Sequence, residues 1–97
     1  MTWIRTTPFE QAEGELRQRY ERTYSLYPAE YRDSVQSLVD PATGIADSVT
    51  AAHSLIPAAM EHALSTFGVL LSPDLPLTRR QHEMIATVVS ALNSCFY

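Results

Sequence analysis

Aromatic and aliphatic residues recur at steps of three and four along most of this chain, each set opposite a polar one, which is the pattern of amphipathic helices. The first such run extends from Phe9 to about Ser25. Phe9, Ala12, Leu16, Tyr20 and Tyr24 share one face, while Glu13, Glu15, Arg17, Arg19, Glu21 and Arg22 occupy the other. Gly14 falls inside this run, where it costs about 1 kcal/mol relative to Ala or marks a close backbone approach. Pro28 interrupts, and Ala29 to Val39 reads as a second, weaker helix. Pro41-Ala42-Thr43-Gly44 is a turn, after which Ile45 to Leu55 returns to helical spacing through Ile45, Val49, Ala52 and Leu55 or Ile56. Pro57 suits the first turn of a further helix, in which Met60, Leu64, Phe67 and Leu71 recur.

Ser72-Pro73-Asp74-Leu75-Pro76 is a rigid connector, because each proline fixes its own φ and disfavours the α region for the residue before it. Thr78-Arg79-Arg80-Gln81 then matches a capping box, and Met84, Ile85, Val88, Val89 and Leu92 form one apolar stripe. No run shows the two-residue alternation of a half-buried strand. The expectation is a single all-α domain over residues 1–97.

Composition narrows the function classes. A chain of 97 residues with 45% apolar and 19% charged residues supports one small core, and docking onto copies of itself would help it. Seven Arg, no Lys and eleven acidic residues leave a formal charge of −4, the wrong sign for a nucleic-acid backbone binder. No apolar run is longer than that of Val69-Leu70-Leu71, far short of the roughly twenty residues that cross a bilayer. The start, Met1-Thr2-Trp3-Ile4-Arg5-Thr6, turns polar at once, unlike a secretory signal, and the compartment is read as cytoplasmic.

Three groups are candidates for chemistry. His82-Glu83-Met84-Ile85-Ala86 begins like the zincin HExxH motif, but Ala86 stands where the second His must be, so no metal is expected. Glu83, read as lying in the first turn of the last helix, either faces inward beside Met84 and Ile85, where burial would suit it to proton transfer, or complements the helix dipole and faces water. Cys95, the only cysteine, is either a nucleophile or a small buried hydrophobe. On one straight helix the two lie about 18 Å apart along the axis, so a joint role requires the chain to reverse near Asn93-Ser94.

The segment from Leu77 to Tyr97, LTRRQHEMIATVVSALNSCFY, resembles the signature of the carboxymuconolactone decarboxylase and alkylhydroperoxidase D-like superfamily. That signature has a Glu, eleven residues, a Cys, two residues, a second Cys and a His four further on; Glu83 and Cys95 match its first two positions. Trp3-Ile4-Arg5 through Tyr20-Glu21-Arg22 and His53-Ser54-Leu55-Ile56-Pro57 are similar to the peroxidase-related branch, so the resemblance spans nearly the whole chain. It implies a homo-oligomeric helical bundle that reduces hydroperoxides with a dithiol or thiol reductant and needs no cofactor. Glu83 would belong to the proton relay and Cys95 would be the first thiol of a pair. The second Cys and the His would fall at positions 98 and 102, so the expectation is an incomplete bundle, the N-terminal part of such an enzyme, without turnover on its own. Two rivals stand beside it: a decarboxylase acting on a lactone acid without cysteine, and a non-catalytic helical oligomerisation or interaction module.

Overall fold

Gly14 opens the first long helix instead of sitting within it. In the computed structural model, which describes residues 3–33, 35–46 and 48–95, Ala12 and Glu13 are extended and Gly14 has φ +55°, a left-handed value that glycine adopts without steric cost. Helix α1 is therefore Gly14–Ser25, preceded by a separate 3-10 turn at Phe9–Gln11. A Cβ at Gly14 would meet nothing within 4 Å, so backbone conformation and not crowding is what the glycine serves. Phe9 still reaches the face its spacing predicts. Its ring packs edge-on against Tyr20 at 5.7 Å and Tyr24 at 5.5 Å, under the Arg17 guanidinium at 3.7 Å.

The helix expected over 29–39 is instead two short 3-10 segments, Ala29–Arg32 and Gln36–Leu38, separated by extended backbone at Asp33 and Val35. Aspartate and β-branched valine are both weak helix formers, so neither Asp33 nor Val35 supports helix continuation. The helix expected over 45–55 shrinks to Ala51–His53. Its first half is drawn into the preceding turn: Gly44 N donates to Asp40 O at 2.8 Å, Asp40 N to Ile45 O at 3.0 Å, and Val39 pairs with Ala46 in an isolated antiparallel bridge. The Asp40 carboxylate accepts from Ala42 N at 2.8 Å, an Asx turn that fixes the reversal. Ser34 and Asp47, inside these two predicted helices, lie outside the described residues.

The last two helices form where the pattern puts them. Helix α2, Pro57–Leu70, begins with proline at its first turn, and α3, Arg79–Leu92, begins with the complete Thr78/Gln81 capping box. The fold is all-α, and no helix among the described residues is long and apolar enough to cross a membrane.

The core lies between α1 and α2. Tyr20 and Met60 are fully buried, with Ala12 beside them and Phe9, Leu16 and Tyr24 packed around. The Tyr20 hydroxyl donates to Thr7 O at 2.8 Å, and Thr7 N donates to the buried Ser54 Oγ at 2.8 Å, so the one polar atom of the central ring anchors both the N-terminal segment and the turn before α2. Burial pushes the Tyr20 phenol well above the ordinary tyrosine range. The rim of the seam is ionic: Glu61 of α2 accepts from Arg19 at 2.6 Å and from Arg22 at 2.7 and 3.0 Å, both on α1.

Two outcomes follow from this seam. Hydrogen bonds from Arg22, with Arg19, pull the Glu61 carboxyl down to about 2 from 4.5. A carboxylate lowered in the folded state contributes stability that is complete above its unfolded pKa and lost as pH falls through the folded value. The thermal midpoint should therefore drop between pH 4.5 and 2, and Glu61→Gln should flatten that part of the profile, as followed by circular dichroism. At Gly68, a Cβ would lie 2.7 Å from Leu26 Cβ and 3.1 Å from the Tyr27 ring. Gly68→Ala is expected to lower unfolding free energy in urea by about 1–3 kcal/mol, in spite of alanine's better helix propensity.

Candidate functional site

Glu83 is the fifth residue of α3, and no acidic residue occupies the first turn of that helix. With Thr78 as the cap, Glu83 opens the second turn, about one residue past the first-turn position read from the sequence. Arg79, four residues before Glu83, shares its edge of the helix, and Arg79 Nε lies 3.5 Å from Glu83 Oε1. The Tyr31 hydroxyl donates to the same Oε1 at 2.5 Å. Arg79 also pairs with Glu30, and its guanidinium stands 5.6 Å from the Tyr31 ring centroid. Tyr31 is held in turn by Phe67 of α2 at 6.2 Å and by Tyr27 at 6.5 Å, both edge-on.

Neither reading of Glu83 from sequence describes this arrangement. Its side chain is 38% exposed, neither sealed beside Met84 and Ile85 nor free in water, and a phenol and a guanidinium converge on one of its oxygens. Burial, and then the hydrogen bond and charge of Glu83, raise the Tyr31 phenol above the ordinary tyrosine value. The Glu30 carboxyl is lowered, first by its own backbone amide and then by Arg79. The cluster is a charged clasp joining the Ala29–Arg32 turn to α3. Arg79 was open to discovery from its four-residue spacing to Glu83; Tyr31 was not, since no local signal ties it to a residue so far along the chain.

Cys95 stands apart from this clasp. Ser94 has φ +53°, Ser94 N donates to Ala91 O at 3.1 Å and Cys95 N to Ser90 O at 2.9 Å. This is a Schellman termination, in which a left-handed residue ends the helix and turns the chain. Asn93-Ser94 therefore does end α3, and Cys95 lies just beyond its carbonyl end with an exposed thiol. Glu83 lies in the first half of α3 and Cys95 beyond its far end, and the two are not brought together. Phe96 and Tyr97, the last residues of the motif, lie outside the described residues.

The histidines do not converge. His53 Nδ1 is 2.8 Å from Val49 O, His62 lies in α2, and His82 Nε2 is buried without a hydrogen-bond partner. Among the described residues no three His, Cys, Asp or Glu side chains gather as a metal site. A groove of about 900 Å³ opens beside the clasp, with Phe9, Tyr24, Tyr27, Tyr31 and Val49 on its walls.

Because Glu83 helps to hold the Tyr31 proton on, Glu83→Gln is expected to move the ultraviolet titration of one tyrosine downward toward 10, while Tyr31→Phe should delete that same transition. An unchanged profile in Glu83→Gln would show the bond to be absent in solution. Comparison with known proteins adds no assignment: no family model, no curated protein and no solved structure matches this chain.

Proposed function

We propose that the chain serves thiol-dependent hydroperoxide reduction as a peroxidase-related protein of the alkylhydroperoxidase D-like type, acting as a cytoplasmic homo-oligomer. The observation that carries this reading is the exposed Cys95 thiol set directly after the Ser94 turn, an accessible sulfur just past the end of α3. The Cys95 thiolate attacks one oxygen of the hydroperoxide, the O–O bond breaks, the alcohol leaves after taking up a proton, and the sulfur becomes a sulfenic acid. A thiol of an external dithiol then displaces water to form a mixed disulfide. Its second thiol releases Cys95 and carries away the oxidised disulfide, supplying both electrons. An external dithiol is needed because Cys95 is the only cysteine of the sequence.

In this reading Glu83 belongs to the proton relay, serving residues that follow Cys95 on a further helix laid back along α3. The Ser94 turn supports such a reversal. Within the present arrangement Cys95 reacts without Glu83, and the chain alone does not sustain turnover. A second reading, a non-catalytic helical oligomerisation or interaction module, is favoured by the apolar stripe of α3, every residue of which is at least half exposed.

The test uses cumene hydroperoxide with a sulfenic-acid trap and mass spectrometry. One trapped group is expected on Cys95, none in Cys95→Ser, and no continuing peroxide loss without added dithiol. Glu83→Gln should leave the trapping rate nearly unchanged, in contrast to the roughly 10²- to 10⁴-fold loss that follows removal of a positioned proton donor. Failure of Cys95 to be trapped at any peroxide concentration would discard the peroxidase reading, and turnover of a lactone acid by Cys95→Ser would replace it with the decarboxylase one.

A further inference from the structure

A row of four aromatic rings runs along the groove beside the clasp. Phe9, Tyr24, Tyr27 and Tyr31 all line it, and successive rings meet edge to face with centroids 5.5, 5.6 and 6.5 Å apart. Edge-to-face contact leaves part of each ring's π surface uncovered by its neighbour. Phe67, which is not on the groove wall, packs edge-on against Tyr27 at 5.6 Å and Tyr31 at 6.2 Å, so these two rings are held in place before anything binds. The Tyr27 hydroxyl donates to Leu64 O at 3.3 Å and the Tyr31 hydroxyl to Glu83, so both residues offer the groove a ring and not a free donor. Its volume, about 900 Å³, suits a small organic molecule.

Both ends of the row already hold a cation. The Arg17 guanidinium lies over Phe9 at 3.7 Å and that of Arg79 stands 5.6 Å from the Tyr31 centroid, whereas the middle rings, Tyr24 and Tyr27, have no such partner among the described residues. A π face carries negative potential and attracts positive charge. The charged groups on the wall have the same preference. Glu10, Glu21 and Asp33 line the groove against Arg32 alone. Glu21 is committed to Arg17 at 2.9 Å, but Glu10, Asp33 and Arg32 form no ion pair among the described residues, which leaves two uncommitted carboxylates against one guanidinium.

We propose that this groove binds a small organic cation, a quaternary ammonium on an apolar body, with the ammonium against Tyr24 and Tyr27 and the body along Val35, Leu38 and Val49. A quaternary ammonium has no N–H to satisfy, so a wall of rings can replace its hydration without supplying acceptors. An anion would find only Arg32, and a neutral apolar ligand would gain nothing from Glu10 and Asp33. Neither Glu83 nor Cys95 lines the groove, so cation binding and thiol chemistry are tested separately.

The probe is benzyltrimethylammonium, added to the whole chain at low salt and followed by proton NMR. Its N-methyl signal should move upfield, as protons over an aromatic ring do, and saturate with a Kd below about 1 mM; the neutral analogue with carbon in place of nitrogen should bind at least about fivefold more weakly. Tyr24→Leu should weaken binding of the cation about fivefold, whereas Tyr24→Phe, which keeps the ring, should not. Because Tyr24 also packs against the core, a second variant avoids it: Glu10→Gln with Asp33→Asn, both exposed, should weaken binding a few-fold with the thermal midpoint unchanged, and Arg32→Gln should tighten it. Equal binding of the neutral analogue would overturn the proposal. So would no saturation by about 10 mM, tighter binding of phenylacetate than of the cation, or indifference to both the Tyr24→Leu and the carboxylate substitutions.

Discussion

The core of this molecule, and the segments tied to it, depend on the packing of Tyr20 of α1 with Met60 of α2. Among the described residues it is the place where large side chains from distant segments are sealed completely from water. The ring does two kinds of work there. Its body supplies apolar area to the seam, and its hydroxyl satisfies a backbone carbonyl that would otherwise be stranded. Thr7 and Ser54 are tied to that hydroxyl in sequence, so the N-terminal segment and the approach to α2 are placed by the same residue. Outside the seam lies a ring of tyrosines: Tyr24 against Tyr20 at 5.6 Å, Tyr27 against Tyr24 at 5.6 Å, and Tyr31 beyond them. This ladder leads from the core to the carboxylate on α3.

The elements that could be read from the chain are those whose start signals agree with their periodicity. Pro57 and the Thr78/Gln81 box both place a helix start next to a regular apolar repeat, and α2 and α3 begin there. The expected helices over 29–39 and 45–55 had spacing without a cap, and turn chemistry won: the Asp40 carboxylate and Gly44 close a tight reversal that uses the backbone groups a helix would need. In the first helix the apolar positions were right and the backbone was not, since Phe9 attains its place from a separate turn. Spacing records which side chains meet, and more than one backbone path can bring them there.

The candidate residues show the same division. That Asn93-Ser94 ends a helix is legible locally, and so is the four-residue step between Arg79 and Glu83. The phenol that holds Glu83 comes from a turn far upstream, and only the packing of Phe67 and Tyr27 around Tyr31 delivers it. Periodicity also identifies the apolar stripe of α3 without saying which way it points. The clasp decides that: a short bond from Tyr31 and an ion pair from Arg79 fix the polar edge toward the body, and the stripe is turned away as a consequence.

Ser94 occupies a backbone region that costs an ordinary side chain energy, and nothing about serine makes it the best residue there. Two main-chain bonds hold the conformation, so the direction in which the chain departs is set by the peptide groups of Ser90 and Ala91 and is indifferent to their side chains. Drift toward glycine or asparagine at this position would keep the exit path, whereas a β-branched replacement would strain it and send the sulfur off along another heading. The reach of the thiol is in this sense written one residue upstream of it.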